Sequence, residues 1–180
     1  MVFMSHVNIK VKAKSSKNYV IREILKSEYA YFKGPDHQID IYFKVKNGRL
    51  KLRQGDIENF LIYYEREDVN NIKRSDVILY KTKQDTRSLK YLKEILHKCF
   101  EVINIVDKKR EIYFIGNVKF HLDDVADLGE FLEIEAIDKK GNIGIDKLRQ
   151  QCRHYCNLFN LREEDLISKS YSDLLLEKYS

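Results

Sequence analysis

Charged side chains recur at every second residue in several runs of this sequence, and their signs are sorted rather than mixed. Arg49, Lys51 and Arg53 alternate with Leu50 and Leu52, and Lys108 and Arg110 repeat the cationic spacing further on. Glu133 and Glu135 alternate with Leu132 and Ile134. Successive side chains of a strand point to opposite faces, so each run makes one charged face. Surface strands more often mix signs. Guanidinium forks suit the non-bridging oxygens of phosphate, and carboxylate oxygens suit Mg²⁺ or Mn²⁺. A cationic wall opposite a carboxylate wall is what a polyphosphate with a divalent metal would need.

The elements that must position these walls are mostly strands. Strict alternation marks His6 to Lys14, Gly48 to Gln54, Asn117 to Asp123 and Phe131 to Ala136. Gln38 to Val45, Phe60 to Arg66, Asp76 to Lys83 and Lys108 to Ile115 also read as strands. Asn47-Gly48 and Gly116-Asn117 sit between apolar runs, as hairpin turns do. Helical period follows Ser16, a suggested N-cap, and follows Asp85 or Thr86, where Leu89, Leu92, Ile95, Leu96 and Cys99 share a face. It returns from Ile145 to Phe159, with a shorter tail from Asp173 to Tyr179. The class is α+β, dominated by one antiparallel sheet. Alternation alone fits a sandwich with its charged faces in water. It also fits an eight-stranded closed barrel whose polar faces line a tunnel, with flanking helices outside. The sorting of signs favours the barrel.

Composition limits the alternatives. The 180 residues carry 33 Lys plus Arg against 28 Asp plus Glu, a net charge of +5, with 43% apolar and 34% charged residues. That is core material for one domain, expected over residues 1–180, and it excludes a disordered chain. No stretch approaches about 18 uncharged apolar residues, so no membrane helix is expected. Three Cys and no signal-like N-terminus lead to an expectation of reduced thiols and a cytoplasmic location. Mild basicity allows an anionic partner. A single-stranded nucleic acid is disfavoured, because it would need stacking aromatics beside the basic face. Either a monomer or a homodimer is compatible with this composition.

Spaced motifs then point to a family. QIDIYFKVKNGRLKLRQ, LIYYERED, KKREIYFIGNVKFHLDDVADLGEFLEIEA and the ending DLISKSYSDLL resemble the CYTH domain. This is the triphosphate tunnel family, which includes class IV adenylyl cyclases and thiamine triphosphatases. The resemblance spans roughly residues 6–176 and implies an eight-stranded antiparallel tunnel with flanking helices. It implies a metal-dependent triphosphate hydrolase or adenylyl cyclase acting on ATP, thiamine triphosphate or inorganic triphosphate. By the same resemblance Arg49, Lys51, Arg53, Arg66, Lys108 and Arg110 would grip phosphates. Asp123, Glu133 and Glu135 would hold Mg²⁺ or Mn²⁺, and Lys12 and Asp123 would take catalytic parts. Partners would be a nucleoside or organic triphosphate, or inorganic polyphosphate.

One position departs from the pattern. The family's first strand reads Glu-x-Glu-x-Lys, and the matching run is Asn8-Ile9-Lys10-Val11-Lys12. Lys10 stands where a metal ligand is expected, and an ammonium there repels a divalent cation. Three consequences are open: a catalytically impaired module that only binds phosphate-rich anions, a single metal held by the remaining carboxylates, or Lys10 paired with Glu133 or Glu135 so that the site closes. Other residues read as structural. Cys152 and Cys156, with His154 pointing elsewhere, do not make a zinc site. Cys99 is expected in the core, and His121, which shares a polar strand face with Asp123, is expected to be structural or to face phosphate, with assistance to proton transfer as the alternative.

Overall fold

The polar faces turn inward. In the computed structural model, which describes residues 3–66, 72–82 and 86–180, eight strands close on themselves. They are β1 (Phe3–Lys14), β2 (Tyr31–Phe43), β3 (Arg49–Gly55), β4 (Phe60–Arg66), β5 (Ile72–Lys81), β6 (Val102–Ile115), β7 (Val118–Val125) and β8 (Gly129–Asp138). The order around the barrel is β1-β5-β4-β3-β2-β6-β7-β8, antiparallel throughout. Among the described residues four α-helices flank it: α1 (Asn18–Ser27), α2 (Thr86–Cys99), α3 (Ile145–Leu158) and α4 (Tyr171–Tyr179).

The helices decide which strand face is dry. Ile9 and Val11 of β1, Phe120 and Leu122 of β7, and Leu132 and Ile134 of β8 pack outward against Ile21 and Leu25 of α1 and Leu148 and Cys152 of α3. Ile41, Phe43 and Leu52 pack outward against Leu89, Leu92 and Leu96 of α2. Each such side chain contributes about 1.5–3 kcal/mol when fully buried. With the apolar set committed to the outside, the alternate set must face the lumen. At one end the inward set becomes apolar: Tyr42, Val106, Val125 and Phe131 meet Tyr171 and Leu175 of α4, which stoppers that end. Ser170 caps α4 by accepting from Asp173 N at 3.1 Å.

Element types follow the sequence reading, but several details differ. β6 begins at Val102 and β2 at Tyr31, earlier than the alternation marked. A register shift between Phe32 and Gly34, where Gly34 takes φ +136°, breaks the period of β2 near its start. Ser16 does not cap α1. The N-cap is Lys17, with no side-chain cap bond. The caps suggested for α2, Asp85 and the Thr86 side chain, lie outside the described residues. Cys99 is exposed rather than in the core, because α2 buries Leu96 and turns its last residue to solvent. Both expected hairpins form. Gly116 takes φ +57° at the first turn residue between β6 and β7, where an L side chain would be strained. Gly48 takes φ +64° against the Tyr63 ring, where a Cβ would sit 2.7 Å from the hydroxyl.

Candidate functional site: a charged lumen

Inside the barrel, Lys10, Lys12, Lys51, Arg53, Lys108 and Arg110 face Asp40, Glu58, Glu133 and Glu135. Two positive charges therefore remain in excess among the described lining residues. The lumen leaves about 810 Å³ of empty space, part of it continuous with solvent. One wall is different: Phe60, Ile62 and Tyr64 of β4 with Val77 and Leu79 of β5 line it with apolar surface.

The excess positive charge gathers on Asp40. Its carboxylate accepts from Lys51 Nζ at 2.7 Å, from Arg53 Nε and Nη2 at 2.7 and 2.9 Å, and from Lys108 Nζ at 2.7 Å. Burial alone would raise Asp40, yet Arg53, Lys108 and Lys51 hold it well below the usual carboxylate range. Three basic groups share this one carboxylate, and among the described residues only Arg53 has a second acidic partner, Glu58 at 3.2 Å. Burial, with Arg53, Arg110 and Lys51 close by, pushes the Lys108 ammonium down to about 7 despite Asp40. An unfolded lysine titrates near 10.5, so above pH 7 the unfolded chain binds more protons at this position. Stability should therefore rise as pH climbs from 7 toward 10.5, and the charging penalty is fully present below 7. Urea midpoints across that range check this, and Lys108→Met should flatten the slope. A slope unchanged in the variant would remove Lys108 as its source.

The opposite wall holds the carboxylates. Arg110 forks onto Asp123 at 2.6 and 2.5 Å and reaches Glu133 at 3.0 Å. The Tyr171 hydroxyl donates to Asp123 at 2.7 Å. Lys12 Nζ lies 3.4 Å from Glu133 and 3.8 Å from the Tyr171 ring centre. Lys10 is ion-paired with Glu135. His121 is 1% exposed, its Nδ1 lies 3.4 Å from Glu133, and its Nε2 has no hydrogen-bond partner among the described residues. Burial first, then Arg110 and Lys119, push this imidazole down to about 4, so it is neutral at pH 7. His121, Glu133 and Glu135 each offer a ligand atom within 4.8 Å of the other two. After small side-chain shifts that donor set suits a divalent cation.

The sequence profile of the CYTH domain matches residues 5–171. The chain belongs to the CYTH family. Among curated proteins, a candidate adenylate cyclase of Methanocaldococcus jannaschii is 28% identical over 182 residues, spanning 95% of this chain and 98% of that protein. Among solved structures, the PH1012 protein of Pyrococcus horikoshii is 25% identical with a TM-score of 0.76, covering 93% of this chain and 98% of its own. A Hippeastrum adenylyl cyclase candidate, described as having a dominant triphosphatase activity, shares 9% identity and the fold at a TM-score of 0.59, over 97% and 95% of the two chains.

This CYTH barrel brings together most of the residues singled out in the sequence, with three exceptions. Lys51, Arg53, Lys108 and Arg110 face Lys10, Lys12, Glu133 and Glu135 across the lumen, and Asn8 lines it with an Oδ1 that has no partner among the described residues. Arg49 is engaged elsewhere, bound through both nitrogens to Asp173 at 2.8 and 2.9 Å and to Ser170 at 2.8 Å, which fastens α4 to β3. Asp123 is fully buried behind Arg110, and the described cation-ligand group contains His121 in its place. Arg66 ends β4, and its side chain lies outside the described residues. Sequence reasoning missed Asp40, Glu58 and Lys119. Asp36, Gln38 and Asp40 alternate with His37, Ile39 and Ile41, a polar face that signalled an inward wall. Glu58 comes from the β3–β4 loop and accepts from Lys119 at 2.7 Å and Arg53 at 3.2 Å; no periodicity announces it. No helix among the described residues is long and apolar enough to cross a membrane.

Proposed function

We propose that this CYTH protein binds an organic triphosphate in its lumen and cleaves it with the help of a divalent cation. The observation that carries the reading is the cluster of Lys51, Arg53 and Lys108 on the single carboxylate of Asp40. Asp40, with Glu58 sharing Arg53 at 3.2 Å, leaves part of this positive charge unbalanced, and a polyphosphate would neutralise it and favour the charged form of Lys108. The forks of Arg53 and Arg110 are engaged by Asp40 and Asp123, so these two would turn their remaining N–H groups to non-bridging oxygens, and the lysines follow as point charges. The apolar wall of β4 and β5 gives a base or other organic group a place beside the phosphates. A cation held by His121, Glu133 and Glu135 would add charge neutralisation at the phosphoryl oxygens.

The chain's own part is positioning and electrostatic stabilisation, which is most of what phosphoryl transfer requires. In hydrolysis water attacks the terminal phosphorus, and in cyclisation a ribose 3′-hydroxyl attacks the α-phosphorus and pyrophosphate leaves. A second reading, anion binding without turnover, is favoured by the pairing of Lys10 with Glu135. Phosphate and pyrophosphate release from ATP, thiamine triphosphate and tripolyphosphate, with Mg²⁺ or Mn²⁺, measured beside calorimetric binding of the same three compounds, decides among them. The expected result is turnover of an organic triphosphate in preference to tripolyphosphate. Binding of all three with no product would establish the second reading, and no binding would sink both.

A further inference from the structure

We propose that the carboxylate corner of the lumen is a mixed nitrogen and oxygen metal centre, in which His121 joins Glu133 and Glu135 as a ligand and makes the site prefer a transition-metal ion over Mg²⁺. The inference rests on the proposed function only in placing the ion in the lumen. His121 and Glu133 are register partners on β7 and β8, and Glu135 follows two residues on along the same face. All three residues are buried, with 1%, 5% and 8% of their surface exposed, and their ligand atoms lie within 4.8 Å of one another. His121 Nε2 is buried without a partner among the described residues. An orphaned nitrogen in such a place is costly; an ion ligated through Nε2 would relieve it, and one ligated through Nδ1 would take the place of the long 3.4 Å contact to Glu133.

The donor types set the selectivity. Mg²⁺ keeps water and favours all-oxygen octahedra, whereas imidazole suits Zn²⁺, Co²⁺ and their neighbours. An entering ion must also take Glu135 from Lys10 and compete with Lys12 and Arg110 for Glu133. The stronger bonds of a transition metal are better matched to that competition.

The test is calorimetric titration of Zn²⁺ and of Mg²⁺ alone into the intact chain. Zn²⁺ is expected to bind tighter by at least about 10-fold, the lower end of what a supporting contact at a metal site is worth. His121→Asn should erase that margin and leave the Mg²⁺ isotherm in place, while Cys99→Ser, at the exposed thiol, should change neither. A margin that survives His121→Asn, a margin lost with Cys99→Ser, or no ion bound at all would each overturn the proposal. Should His121→Asn fail to fold, the unmodified chain answers the same question. Bound Co²⁺ should displace the His121 ring resonances far from their diamagnetic positions, and an unshifted ring would refute ligation. Tripolyphosphate binding in the presence of chelator tests the lumen reading separately, so the two can fail independently.

Discussion

Asp40→Asn is expected to give a barrel that is much less stable than the parent and that regains stability when a polyanion is present. Asp40 is 1% exposed and is the shared acceptor of Lys51, Arg53 and Lys108. An amide in its place keeps the volume and removes the countercharge. Breaking a buried pair by deleting one partner costs about 3–5 kcal/mol, a large share of the roughly 5–15 kcal/mol that holds a typical domain folded. A triphosphate supplies the missing negative charge from outside, so the variant should bind it more tightly than the parent does. At about 100 times its dissociation constant the ligand returns about 2.7 kcal/mol. Urea unfolding with and without tripolyphosphate reads both effects. Equal midpoints for parent and variant without ligand would show that Asp40 does not balance the cluster.

Lys10→Glu should have the opposite character, with a cost in the metal-free protein and a gain when metal is present. The change moves the local charge by two units beside Glu135, which is already buried against Glu133 and paired with Lys10. At about 4 Å and an effective dielectric near 20, one unit charge is worth about 4 kcal/mol. Relaxation and hydration reduce this, so a gain of roughly 100-fold in Mn²⁺ affinity is the conservative expectation. Without metal, three carboxylates would crowd one corner and lower the thermal midpoint. Calorimetric titration of Mn²⁺ into parent and variant checks the first effect and a melting curve the second. Unchanged Mn²⁺ affinity would separate Lys10 from the cation corner.

These effects depend on contacts that alternation cannot encode. The strand pattern of Arg49 to Arg53, Lys108 to Arg110 and Glu133 to Glu135 was enough to expect walls of opposite sign, because a two-residue period fixes the face of every side chain in a strand. Pairing was not legible, since it depends on which strands adjoin. Asp40 meets Arg53 because β2 and β3 are register partners at those residues, and it meets Lys108 because β6 lies on the other side of β2. Arg49 has the parity of Lys51 and Arg53, but it sits at the rim, where the C-terminal helix offers Asp173. The orphaned nitrogen of His121 is visible only once its neighbours are in place.

The closure of the barrel also bears on how the chain reaches this state. β1 is zipped on one side to β5 and on the other to β8, with Val11 opposite Ile134. The last seam therefore joins segments separated by most of the sequence, and loop-closure entropy opposes it until late. On a ribosome, β1 would emerge long before β8 exists and wait with half of its backbone groups unpaired. During that interval its apolar face and open edge are available to other chains. Yield from rapid synthesis should thus be governed by the protection of β1, and a nascent-chain chaperone able to shield an extended edge is the cellular factor whose absence this barrel would feel most.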